Sequence, residues 1–109
     1  MENRNSFSKQ EIILLLVKGN QEPLITHALI RMMTRRFELY DFYELLKAIE
    51  ATDLLVRLDI PTKQMGSYQL TKAGETALKN AIENGLKEKL QLKFPEQKEF
   101  IEVFALRSV

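Results

Sequence analysis

Arg31 and Arg35 stand four residues apart, the spacing that places two side chains on one face of a helix, and Arg36 lies on the flank of that face. Guanidinium groups arrayed in this way have the geometry to meet a line of phosphates. Directly after them come Tyr40, Tyr43, Glu44 and Lys47, four hydrogen-bonding side chains on the outer side of a short amphipathic segment. A lysine there can donate to guanine, a glutamate can accept from the amino group of cytosine, and tyrosines can reach phosphates or base edges. Lys63 adds a cation in a later turn, and Lys9, Arg57 and Lys72 are placed to extend the basic set. The same residues also suit blander roles. Arginines on a helix face pair with acidic neighbours in solvent, and tyrosines seal a helix against the rest of a domain.

Other chemistries find little to work with. There is no cysteine, which excludes thiolate catalysis, a disulfide scaffold and a thiolate-bound metal. His27, the single histidine, lacks the companions that a zinc site needs and is expected to face solvent. Met32 and Met33 are expected to fill core space. No nucleophile stands beside a base, no glycine-rich loop is built to cradle phosphate, and no carboxylate pair has acid–base spacing. Neither catalysis nor a cofactor is expected.

The elements that must position these groups can be read from periodicity. The 109 residues suit one domain, with 45% hydrophobic and 28% charged residues, a composition apolar enough to fold. Sixteen basic residues against fifteen acidic ones give a net charge of +1, so any basic surface must be local. Ser8 and Glu11 have capping-box spacing, and the apolar run from Ile12 to Val17 then reads as a buried central helix closed by Gly19 and Asn20. That run is too short to span a membrane, and no secretory signal is recognised, so a cytoplasmic protein is expected.

Thr26 is expected to cap a second helix that buries Leu29, Ile30, Met33 and Phe37. A third helix follows, with Phe42, Leu45, Leu46 and Ile49 inward. The period then changes to two. Val56, Leu58 and Ile60 alternate with Leu55, Arg57 and Asp59, residues 61–66 supply turn chemistry, and Tyr68 and Leu70 alternate with Ser67 and Gln69, which predicts a β-hairpin. Tyr68 is expected in the core. Thr71 caps a long helix, predicted to run to Gln91, whose Leu78, Ile82, Leu86 and Leu90 form a stripe weakened at Gly85. Pro95 suits the first turn of a last helix bearing Phe100, Ile101, Val103 and Phe104.

The fold class is therefore mainly α with a small β-hairpin, α+β, in the order of a winged helix-turn-helix with additional C-terminal helices. The run FYELLKAIEATDLLVRL followed by YQLTKAGETAL resembles the third helix, wing and next helix of bacterial MarR-like and PadR-like transcriptional regulators. In that resemblance Phe42, Leu46, Ile49, Leu54 and Val56 take the apolar positions, and Tyr68, Leu70, Thr71 and Gly74 the closing motif. Asp53 stands where those regulators usually carry glycine, at a helix end that often needs a left-handed backbone.

The resemblance implies duplex DNA as partner, with phosphate or groove contacts from Arg31, Arg35, Arg36, Tyr40, Tyr43, Glu44, Lys47 and Lys63. It also implies a homodimer joined by terminal helices. Residues 1–82 would form the winged-helix core and 83–109 a helical extension of the same domain, pairing subunits through Leu86, Leu90, Phe100, Val103 and Phe104. Folding of that stripe back onto the first helix is the alternative. From Glu38 to Asp53, one lysine faces five carboxylates, a balance unfavourable beside phosphates. A second possibility is thus a module that joins proteins through its acidic third helix.

Overall fold

The computed structural model describes residues 7–22, 24–50, 53–59 and 66–108. Its architecture is α+β, six α-helices around a small antiparallel sheet among the described residues. α1 (Lys9–Gly19) begins at the expected capping box: Ser8 Oγ accepts from the Glu11 amide at 3.1 Å, and Glu11 Oε1 accepts from the Ser8 amide at 2.7 Å. Ile12 to Val17 are all buried, because four of the later helices and the sheet pack around this helix. Each of these side chains contributes roughly 2 kcal/mol of transfer free energy, so α1 is the axis of the core.

A strand that periodicity did not reveal, β1 (Leu24–Ile25), precedes α2 (Thr26–Phe37). Two residues are too few to display an alternation. β1 pairs with β3 (Gly66–Leu70), which pairs in turn with β2 (Leu55–Asp59), giving an antiparallel sheet in the order β1-β3-β2. Thr26 is the first helical residue of α2 rather than its cap, and its hydroxyl shares a 2.9 Å hydrogen bond with that of Tyr68. Tyr68 is buried, and its polar end is satisfied there.

The inward parity of β2 differs from the expected one. Leu55 lies opposite Leu70 and is buried, whereas Val56 lies opposite Gln69 and is exposed. Residues directly opposite across a ladder share a face, so the core position of Leu70 decides that of Leu55. The predicted strand end at Ile60, the turn 61–65 with Lys63, and the side chains of Arg57 and Leu58 lie outside the described residues.

The closing motif has a local physical cause. Thr71 caps α4 (Lys72–Glu83) by accepting from the Gly74 amide at 3.1 Å, while its hydroxyl donates to the Asp53 carbonyl at 2.8 Å. The Thr71 amide donates to the Leu54 carbonyl at 3.0 Å. A side chain on Gly74 would place its Cβ 2.1 Å from that same carbonyl oxygen, so the chain entering β2 leaves room for glycine alone.

The long helix expected from Thr71 to Gln91 is interrupted. α4 stops at Glu83, Gly85 turns with φ +90°, and α5 (Leu86–Lys93) sets off anew. The break lets α5 return to the core, and α6 (Lys98–Arg107) follows it after a short 3₁₀ turn that starts at Pro95. Leu86, Leu90, Phe94, Ile101, Phe104 and Ala105 join the same hydrophobic cluster as α1.

This corrects the pairing roles assigned to Leu86, Leu90 and Phe104, which are consumed within one chain. The C-terminal stripe folds back on α1, and Gly19 permits the approach, since a Cβ there would lie 2.7 Å from Phe104 Cδ2 and 2.9 Å from the Phe104 carbonyl oxygen. Phe100 is half-buried, stacked on Phe104 at 4.3 Å and tilted toward Phe37 at 6.2 Å. Of the five residues expected to pair subunits, Val103 alone is exposed.

Candidate nucleic-acid interface

α3 (Phe42–Glu50) is held at a defined angle to α2 by a short, heavily bonded turn. Glu38 ends α2 in the left-handed region at φ 56°, and the amides of Glu38 and Leu39 both donate to the Met33 carbonyl. Thr34 Oγ1 donates to the Leu39 carbonyl at 2.9 Å. Asp41 Oδ1 then accepts from the Glu44 amide at 3.0 Å and satisfies a donor that the start of α3 leaves open. Leu45 and Ile49 anchor the helix in the core, so its opposite side faces solvent.

That outer side and the turn before it carry the predicted groups. Tyr40 is 71% exposed and Tyr43 is 80% exposed, so neither seals α3 against the domain. Lys47 is exposed as well. Phe42, expected inward, is instead 44% exposed at the first position of α3 and meets Tyr43 edge-on at 5.8 Å, whereas Leu45 and Ile49 reach the core. Arg31 and Arg35 are exposed on α2, which packs on α3. Among the described residues neither has an ion-pair partner, and no hydrogen bond links them to Tyr40, Tyr43 or Lys47. His27 faces solvent.

Two assigned residues are already engaged. Arg36 leaves the cluster for the C-terminal helices: its Nη1 donates to Gln97 Oε1 at 3.0 Å, and its guanidinium lies 4.5 Å from the centre of the Phe100 ring. The aromatic group there supplies a cation–π surface that open solvent does not. Glu44 is ion-paired with Lys9 of α1. Neither contact shows in periodicity, since each joins residues far apart in the chain. The Asp41 cap was missed, although aspartate three residues before glutamate is a helix-start spacing that could have signalled it.

Elsewhere the surface offers less. A cleft of about 430 Å³ lies over Leu78 and Ile82, rimmed by Lys18, Glu75, Lys79 and Glu83. Lys18 and Glu75 close on each other at 2.7 Å, and the rim charges balance. Among the described residues no group of histidine, aspartate and glutamate is arranged to hold a metal ion, and no helix is long and apolar enough to cross a membrane. Comparison of the chain with models of protein families, with curated proteins and with solved structures finds no match in any of the three.

Proposed function

We propose that this chain is a winged-helix transcriptional regulator that binds duplex DNA in the cytoplasm, with α3 entering the major groove. The carrying observation is the order helix, strand, helix, helix, strand, strand with the sheet β1-β3-β2, in which α3 packs on α1 and α2, keeps an exposed side, and is followed in the chain by the β2–β3 ribbon. A recognition helix needs just such a free outer face; Tyr43 and Lys47 occupy it, and Tyr40 stands exposed in the turn before it. Arg31 and Arg35, unpaired among the described residues, supply phosphate contacts from α2.

Fluorescence anisotropy of a labelled duplex against increasing salt tests the proposal. The logarithm of affinity falls linearly with the logarithm of salt concentration, and replacing Arg31 and Arg35 together by alanine lowers the slope by about 1.8, at about 0.9 per phosphate contact. Absence of duplex binding at low salt refutes it.

A homodimer belongs to the proposal, through the outer face of α6 rather than the buried stripe. Val103 and Leu106 are exposed there, 42% and 65%. Antiparallel pairing of two α6 helices centred on Val103 sets Glu99 of each copy opposite Arg107 of the other, four residues to either side. Light scattering on the parent and on Val103→Asp decides this, and a monomeric parent rejects it.

A second function is favoured by one observation, the five carboxylates along Glu38 to Asp53. Exposed tyrosines within an acidic surface suit a basic protein partner. Binding to a basic protein surface by a chain that ignores DNA would establish it.

A further inference from the structure

We infer that Lys9 is a positioning residue for α3, acting through Glu44 and not by touching phosphate; the inference rests on the DNA reading above. The recognition helix has an electrostatic problem that its own residues do not solve. From Glu38 to Asp53, Lys47 is the one cation against five carboxylates, of which Glu44 and Glu50 lie on α3 itself. These carboxylates are not equivalent. Glu38 lies in the turn, before α3, and Asp41 is bound to the first-turn amide of Glu44. Glu50 is at the far end of the helix. Glu44 stands between Tyr43 and Lys47, within the set that would enter the groove, and it is exposed. An uncompensated carboxylate there repels the phosphates on both sides.

Lys9 is placed to remove that charge. It comes from the first turn of α1, the most deeply packed helix, whose start is fixed by the Ser8–Glu11 capping box. Its ammonium bonds to Glu44 Oε1 across 35 positions of sequence. The Lys9 side chain is 35% exposed and that of Glu44 56% exposed, a half-solvated pair whose contribution to folding is small, of order 0–1 kcal/mol. Folding stability therefore gives little reason for the pair, whereas neutrality at the groove gives a strong one. The contact also engages a single carboxylate oxygen, leaving Oε2 without a partner among the described residues. Glu44 thus keeps an acceptor suited to the amino group of cytosine while its charge is cancelled.

The test is anisotropy titration of the full chain with a duplex, over a series of salt concentrations, for the parent, Lys9→Ala, Glu44→Gln and the double variant. Lys9→Ala weakens binding roughly tenfold, because an unpaired carboxylate then faces the phosphates. In the Glu44→Gln background the same change costs less than about twofold, since nothing remains to be neutralised. The double variant keeps the salt slope of the parent. The inference is overturned if Lys9→Ala is silent, if its loss persists undiminished in the Glu44→Gln background, or if the double variant loses about 0.9 from the slope, the mark of a direct phosphate contact. Lys9→Met, which retains the aliphatic stem, must behave as Lys9→Ala does, and melting temperatures within about 3 °C of the parent exclude unfolding as the cause. A parent that binds no duplex at low salt overturns the DNA reading and this inference together; the other adverse outcomes overturn this inference alone.

Discussion

Replacing Gly74 by alanine sets two effects of opposite sign against each other. Gly74 is the third residue of α4, where alanine gains about 1 kcal/mol of helix propensity. The new Cβ, however, would lie 2.1 Å from the Leu54 carbonyl oxygen and 3.1 Å from its carbon. Carbon and oxygen approach to about 3.3 Å at closest, so the backbone at Leu54 must withdraw by about 1 Å. It is not free to do so. The Leu54 carbonyl accepts from the Thr71 amide at 3.0 Å, and the neighbouring Asp53 carbonyl accepts from the Thr71 hydroxyl at 2.8 Å. Overpacking against backbone costs about 3 kcal/mol, and weakening one of these hydrogen bonds adds about 1 kcal/mol. Against the gain in propensity the net loss is about 3 kcal/mol, equivalent to a fall of roughly 13 °C in Tm for a chain of this length. Thermal melting followed by circular dichroism, with urea titration for the free energy, measures it. A Tm equal to or above that of the parent refutes the tight junction between β2 and α4, because helix propensity would then have won.

Three further outcomes follow from single contacts. Gly19→Ala drives a methyl against Phe104 and should cost about 2 kcal/mol in urea unfolding; an unchanged midpoint would mean that α6 does not lie against α1. Glu38→Gly keeps the left-handed backbone at φ 56° but relieves the steric cost that a non-glycine side chain carries there, and should stabilise the chain by about 1 kcal/mol; a loss would show that the side chain of Glu38 matters more than its backbone. The Glu102 carboxyl is held below its ordinary value of 4.5, first by the hydrogen bond from Gln91 and then by that from Lys87. A depressed carboxylate stabilises the fold above its unfolded pKa and loses that contribution as pH falls through its folded value. Glu102→Gln should therefore melt below the parent near pH 7 and converge with it in strong acid, and a gap in Tm that is constant with pH would contradict this.

Much of the fold was legible because it is local. The capping box at Ser8 and Glu11, the core stripe of Leu29, Met33 and Phe37, the parity of Tyr68 and Leu70, and the cap at Thr71 each rest on residues within a few positions of one another. The misreadings concern places where a distant neighbour overrides that local pattern. Val56 is as apolar as Leu55, and only the pairing of Leu55 with Leu70 chooses between them. The stripe from Leu78 to Leu90 continues through Gly85, yet the chain turns there so that Leu86 and Leu90 reach the core. Arg36 shares a helix with Arg31 and Arg35, and it is the Phe100 ring that draws it away.

By itself the order of residues determined that the chain is α+β, that Ile12 to Val17 run through its centre, and that Tyr43 and Lys47 share the outer side of α3. Periodicity carries that information because a helix or a strand sorts its own side chains by rotation about its own axis. Tertiary structure alone decided that β1 completes the sheet, that the C-terminal stripe covers α1 from within the same chain, and that Glu44 meets Lys9. Those contacts depend on where separate axes cross, and no spacing along one axis encodes the distance to another.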